Sequence, residues 1–341
     1  MAGESYLDLL MIYDVSRRHI YKSFEKAATW INSSLTFPLV EALQNEDKAF
    51  FAKVSEDFAV DSSGHYTGCC DGLGGLAIRI RRPTEDDGIF DIGAYYCRKG
   101  FYAFICQAMC DVRKRIVWIS SRHIGSCHDS RAFTDTKLYC FLVEKKLFLL
   151  DNGFFFVGDS AYDLESFLLI PFDEPKPQSE EDAYNFYHSN CRIRIECTFG
   201  ELIMRFDLFW RTLKLDLKNA GDVINDAALL HNFIVDEREN SMGNDDDTPI
   251  FHNFSASTVS YLDGPSIRGF TDPEREILNP VATDNNVPNR GGRPTSVSIT
   301  SKEEGRRLRN LLKIHLSVYG MKRHMEKGFK VNDYGMVYMD Y

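Results

Sequence analysis

Phe154-Phe155-Phe156-Val157-Gly158-Asp159 is a continuous apolar run that stops at a glycine and an acid. Four consecutive large apolar residues leave no polar face for solvent, so the run reads as a short parallel strand buried on both sides. Upstream, Gly68 to Leu73, Tyr95 to Cys110 and Arg115 to Ser120 also read as strands, and the Asp111-Val112-Arg113-Lys114 turn predicts a hairpin between the last two. Ser130 to Leu147 reads as a helix ahead of the buried run, and helices follow it at His188 to Trp210 and Asp222 to Asp236. Strands, a helix, a buried strand and then helices make an α/β layer fold.

The chain has 341 residues, 44% of them hydrophobic, enough for one sizeable core with small flanking modules. The nine cysteines are odd in number and irregularly spaced, and no charged and apolar leader is evident, so a reduced, intracellular protein without a disulfide framework is expected. No apolar run approaches the roughly 20 residues of a membrane helix, and no membrane association is expected. The net charge of -10 argues against a surface that grips nucleic acid all over. The charge is uneven, however. Residues 237–300 hold five basic and ten acidic residues, giving -5, whereas residues 301–341 hold nine basic and five acidic, giving +4.

The same unevenness divides the chain: a helical region at 1–60, an α/β domain at 61–236, an acidic, flexible linker at 237–300 and a basic helix with a tail at 301–341. In the first region, Ser5 to Tyr13 and Arg17 to Ile31 read as two helices joined at Asp14-Val15-Ser16, with Ser16 as N-cap and Ile20, Phe24, Ala27 and Ile31 on one face. They outline a partial helix-turn-helix whose second helix would offer Arg17, Arg18, Tyr21 and Lys22 to DNA, or else an ordinary helical hairpin. In the last region, Ser301 and Glu304 suggest a capping box, with Leu308, Leu311, Leu312 and His315 apolar and Arg306, Arg307, Arg309 and Lys313 toward solvent.

Asp71 follows the apolar Cys69-Cys70 pair and Asp159 follows the buried run, so both sit at strand exits, where ligands of open α/β sheets bind. Each could equally be a turn former. Glu196 lies one residue round from the stripe Ile195, Phe199, Leu202 and Phe206, from where it could point across the top of a sheet or pair with Arg192 at i-4. Three carboxylates about 5 Å apart would repel by roughly 3 kcal/mol per pair at an effective dielectric near 20, which a cation can offset. All-oxygen ligands favour Mg²⁺ or Mn²⁺ over zinc. No CxxC pair, Gly-x-Ser-x-Gly elbow or P-loop competes with this reading.

The segments Gly68-Cys69-Cys70-Asp71-Gly72, Arg98-Lys99-Gly100-Phe101-Tyr102, Gln107-Ala108-Met109-Cys110-Asp111, Gly125-Ser126-Cys127-His128-Asp129-Ser130, Gly158-Asp159-Ser160-Ala161-Tyr162, Asn185-Phe186-Tyr187-His188-Ser189 and Arg192-Ile193-Arg194-Ile195-Glu196-Cys197-Thr198-Phe199-Gly200, closed by Leu230-His231-Asn232-Phe233, stand in this order along the chain. Together they resemble the Harbinger/PIF-like DDE superfamily endonucleases over roughly Asp71 to Asp236. The resemblance implies a ribonuclease H-like mixed sheet flanked by helices. It also implies a nuclease or transposase that hydrolyses DNA phosphodiesters and transfers strands with two Mg²⁺ or Mn²⁺ ions held by Asp71, Asp159 and Glu196. Asp129, His128, Arg98, Lys99, Arg192 and Arg194 would support the site or contact DNA. Double-stranded DNA, a Myb-like DNA-binding partner protein, a homo-oligomer on DNA and a nuclear location are implied as well. The alternative is a domesticated, catalytically silent DNA- or protein-binding module.

Overall fold

A computed structural model describes residues 12–60, 64, 66–214, 216–242, 299–323, 329–331 and 337–339. Its centre is a five-stranded sheet of β1 (Cys69–Arg79), β2 (Ala103–Cys110), β3 (Ile116–Ile124), β4 (Phe155–Val157) and β5 (Leu168–Leu169), in the spatial order β3-β2-β1-β4-β5. The pairings of β1 with β2 and β2 with β3 are antiparallel, and those of β1 with β4 and β4 with β5 are parallel. The result is a mixed α/β architecture with helices flanking the sheet, as a ribonuclease H-like fold requires. The hairpin turn forms where expected: Lys114 takes a positive φ of 66°, and the Asp111 side chain accepts the Arg115 N–H at 2.9 Å.

The helices are α1 (Arg17–Ser34), α2 (Pro38–Gln44), α3 (Lys48–Val60), α4 (Asp129–Thr134), α5 (Lys137–Glu144), α6 (Lys146–Asn152), α7 (Glu180–Arg205), α8 (Leu217–Met242) and α9 (Ile299–Val318). Side chains on β2 alternate between two cores. Cys106, Ala108 and Cys110 pack with Ile195, Phe199 and Leu202 of α7 and Ile224 and Ala228 of α8. Met109 joins Leu73 and Val117, Leu39 of α2, Phe51 and Phe58 of α3, and Phe133 and Leu138 of α4 and α5. Gly72 and Gly74 let α7 lie close on β1: a Cβ at Gly72 would stand 3.4 Å from the Cys191 carbonyl oxygen.

Several boundaries move. The single helix expected over Ser130 to Leu147 is three, α4 to α6, because Thr136 restarts the chain as an N-cap for α5. α7 begins eight residues before His188, where Ser179 accepts the Asp182 N–H. α8 runs on to Met242, so the segment given as linker begins in helix, and residues 243–298 lie outside the described residues. Ser16 caps α1 as expected, and Ile20 and Ile31 are buried, but Ala27 is exposed. Residues 12 and 13 are helical, and the rest of the first expected helix lies outside the described residues. α1 packs on α8, where Asn32 Nδ2 donates to Asp226 at 2.5 Å.

The C-terminal helix is rotated from its expected face. Ser301 is inside α9 rather than at its cap, and its hydroxyl donates to Glu165 at 2.6 Å. Ser301, Gly305, Leu312 and Leu316 face the domain, while Leu311 is exposed. Arg309, expected in solvent, lies 4.0 Å over the Phe172 ring and donates to the carbonyls of Ile170 and Pro171.

Two histidines tie helices to the sheet region. His188 Nε2 donates to the Leu169 carbonyl at 3.1 Å. His231 Nε2 donates to the Lys114 carbonyl at 2.9 Å, leaving Nδ1 to accept from Arg205 at 2.9 Å. Burial, before any other cause, lowers both to about 4. Since these folded values lie below the unfolded value near 6.5, their contribution is complete above about pH 6.5 and is lost as pH falls from there to about 4. Each should remove up to about 1.4 kcal/mol per pH unit in that window. Urea unfolding of His231→Gln beside wild type checks this: the variant should lose about half of that histidine-dependent slope.

Candidate functional site

The Arg98-Lys99-Gly100 turn is closed by the Gly100 N–H donating to the Cys97 carbonyl, with Gly100 at φ 87°. It faces the loop from Gly125 to Asp129, and the two walls enclose a cleft at the exits of β1 and β4. Gly75, Leu76 and Ala77 of β1 form its floor, and Asp159, Arg192 and Glu196 complete it. The sequence-derived residues Asp129, His128, Arg98, Lys99, Arg192, Asp159 and Glu196 are therefore brought together, and Arg194 does not line the cleft.

Each acid has an identifiable setting. Asp159 follows β4 and accepts the Ala161 N–H at 2.8 Å, so it makes the local turn and still fronts the cleft. Glu196 accepts from Arg192 one helical turn earlier at 2.5 Å. Asp129 is the first residue of α4, with His128 at the cap, and accepts from Gln107 Nε2 at 2.9 Å; Arg98 lies 3.9 Å from its other oxygen. Gln107 in turn accepts from the buried Tyr162 hydroxyl at 2.5 Å. Burial, and then the charges of Asp129, Asp159 and Glu196, push the Tyr162 phenol well above its usual value.

Gln107 and Tyr162 were not picked out from the sequence as site residues. The available signal was Gln107 itself, a polar residue in an otherwise apolar strand that is buried at every position. A buried amide of this kind needs partners, and here they are Tyr162 and Asp129.

Asp71 stands apart from the other acids. It does not line the cleft. The parallel ladder pairs Asp71 with Phe156 and Gly72 with Val157, which leaves Asp71 three residues short of the level of Asp159, or about 10 Å along the strand. It is fully buried, and neither carboxylate oxygen has a hydrogen-bond partner. Burial first, and then the charge of Asp111, raise it well above the ordinary aspartate value. Burial without partners disfavours the charged form of such an acid.

This displacement decides how the cleft suits the Mg²⁺ or Mn²⁺ that the resemblance implies. Among the described residues, no three Asp, Glu, His or Cys side chains come close enough to share an ion. Glu196 is committed to Arg192 and one oxygen of Asp129 to Gln107. The donor set does not fit a two-ion centre. Arg18 and Lys22 of α1 are exposed, whereas nothing is described of the Arg17 and Tyr21 side chains. None of the described helices is long and apolar enough to cross a membrane.

Residues 73–232 match the family of DDE superfamily endonucleases. The chain is similar to proteins named "Putative nuclease HARBI1": it is 26% identical to that of Homo sapiens over 167 residues, 47% of this chain and 44% of the relative. To that of Mus musculus it is 26% identical over 164 residues, and to that of Xenopus laevis 24% over 161 residues, again 44% of each relative. The chain thus spans less than half the length of these relatives. No solved structure matches it significantly. The matched segment contains Asp129, Asp159 and Glu196 and begins two residues after Asp71. Over these 160 residues of 341 the chain is similar to the DDE superfamily endonucleases.

Proposed function

We propose that this chain binds double-stranded DNA, with the phosphate backbone lying in the cleft against Arg98, Lys99 and Arg192. The observation that carries the reading is the convergence of these three cations on one cleft within the segment matched to DDE endonucleases. Phosphates would exchange with the carboxylates that these side chains now face, Asp129 for Arg98 and Glu196 for Arg192. The exposed Arg18 and Lys22 on α1 could add a second contact. A Myb-like DNA-binding protein, self-association on DNA and a nuclear location belong to the same proposal.

Three phosphate contacts predict a salt slope near -2.7, which is roughly a 40-fold loss of affinity between 50 and 200 mM salt. Fluorescence anisotropy with labelled duplex measures it. Replacing Arg98, Lys99 and Arg192 together by alanine should flatten the slope and weaken binding at low salt. An unchanged slope would sink the assignment of the cleft. Asp159→Asn should bind more tightly than wild type, since a negative charge beside the phosphates is removed.

A second reading is an endonuclease or transposase that hydrolyses phosphodiesters and transfers strands with two divalent ions. It is favoured by the placement of Asp159 at a strand exit and Glu196 on α7, both facing the cleft. Nicking of supercoiled plasmid in Mg²⁺ or Mn²⁺, abolished by Asp159→Asn and by Glu196→Gln, would establish it.

A further inference from the structure

We propose that Arg79, held over the ring of Phe101, is a fourth cation of the DNA track and takes a backbone phosphate just beyond the end of the cleft. The inference rests on reading the cleft as a DNA-binding site, and it adds a residue that stands outside the cleft lining.

Strand alternation places the residue. Gly75 and Ala77 of β1 lie on the cleft floor, and Arg79 follows them at the same period of two, so it stands on the same face of the sheet. The ladder agrees: Ala77 pairs with Ile105, which also lines the cleft, and Arg79 pairs with Ala103, the next residue of β2 on that face. Ala77 and Phe101 both pack against the small apolar cluster that contains Cys97, Ala103 and Ile105. The Arg79 guanidinium carbon lies 4.4 Å from the centre of the Phe101 ring, and Phe101 directly follows the Arg98-Lys99-Gly100 turn. Lys99 and Phe101 are two residues apart, a separation that backbone cannot stretch beyond about 7 Å.

Arg79 also differs from its neighbours in what it would give up on binding. Arg98 faces Asp129, Arg192 faces Glu196, and Arg81 donates to Asp87 at 2.8 Å. Arg79 is exposed, and among the described residues no carboxylate pairs with it; the aromatic ring is its partner. The Asp129 carboxylate stands over Gly75, four residues or about 13 Å back along the strand. A guanidinium stacked on a ring keeps the N–H donors at its edge for phosphate oxygens, and here no ion pair has to break first. Phosphates recur about every 3.4 Å of axis along each strand, so a duplex seated against Lys99 carries charge past the end of the cleft.

The test uses the full chain and a fluorescein-labelled duplex of mixed sequence in metal-free buffer, with anisotropy followed across a salt series. A fourth contact makes the wild-type salt slope about -3.6, at roughly 0.9 per phosphate. Arg79→Gln leaves a side chain over the ring but removes the charge, so the slope should return to about -2.7 and low-salt affinity should fall roughly ten-fold. Arg79→Lys should keep the wild-type slope, because a lysine also neutralises one phosphate. Phe101→Leu should keep it too while binding about two- to five-fold more weakly, since the arginine is no longer held in place. Circular dichroism confirms that each variant is folded. An unchanged slope in Arg79→Gln, a reduced slope in Arg79→Lys, or wild-type affinity in Phe101→Leu overturns the inference. If replacing Arg98, Lys99 and Arg192 together flattens the slope and Arg79→Gln does not, the cleft reading stands without Arg79. If that triple replacement leaves the slope unchanged, the cleft reading falls and the inference falls with it.

Discussion

Asp71→Asn should stabilise the protein at neutral pH, by an amount that grows with pH. The folded Asp71 is raised by burial and by Asp111, and its oxygens have no partners. In the unfolded chain the carboxyl ionises near pH 3.9, so above that value the unfolded state sheds a proton that the folded state keeps. The sign follows: Asp71 favours folding fully below about pH 3.9, and that contribution is lost as pH rises toward its raised folded value. The stability difference between variant and wild type should widen by about 1.4 kcal/mol for each pH unit across that window. Because the two buried histidines act in the opposite sense between about pH 6.5 and 4, the difference between the proteins, rather than either curve alone, isolates Asp71. Urea denaturation from pH 4 to 8 measures it. A constant difference would mean that Asp71 is solvated or paired, and its exclusion from the cleft would have to be abandoned.

Gly125→Ala should destabilise the fold by about 3 kcal/mol, the upper part of the usual range for overpacking. A methyl group there would overlap the Tyr95 carbonyl oxygen and lie 2.7 Å from the Tyr95 carbonyl carbon and 3.1 Å from the Ala103 carbonyl oxygen. All are backbone atoms, so no side chain can swing aside. The Gly125 loop carries His128 and Asp129, while the opposing segment leads to Arg98 and Lys99; prising them apart opens the cleft. Affinity for duplex should therefore fall even where the variant remains folded. Gly93→Ala is the control, since a Cβ there meets only Asp91 Oδ1 at 3.5 Å. Equal melting temperatures for the two variants would refute the close contact.

The strand-and-helix order was readable because its signals are local. Phe154 to Val157 has no polar face, and the Asp111 to Lys114 turn has the residues a tight hairpin uses. Asp159 and Glu196 could be placed for the same reason, one from a strand exit and the other from a helical stripe. The level of Asp71 was not legible because it depends on pairing with Phe156, 85 residues away in sequence, and on an irregularity between Cys69 and Asp71 that no local pattern announces. The face of α9 was misjudged because its buried edge uses Ser301 and Gly305, where the helix approaches Glu165 too closely for larger side chains. β5, only Leu168 and Leu169, is too short for any period to reveal.

The attachment of both outlying helices to the middle of the chain has a kinetic consequence. Asn32 meets Asp226 across 194 residues, and Ser301 meets Glu165 across 136. Closing a loop of the first length costs about 2.6 kcal/mol more than closing one of ten residues, before any contact repays it. The hairpin of β2 and β3, by contrast, closes through a four-residue turn. Folding should therefore begin in the antiparallel meander, with α1 and α9 captured late. Until they arrive, the flank of α8 and the Glu165–Ser166 edge stay uncovered, giving the nascent chain a longer interval in which to aggregate than a fold closed by neighbouring segments would have.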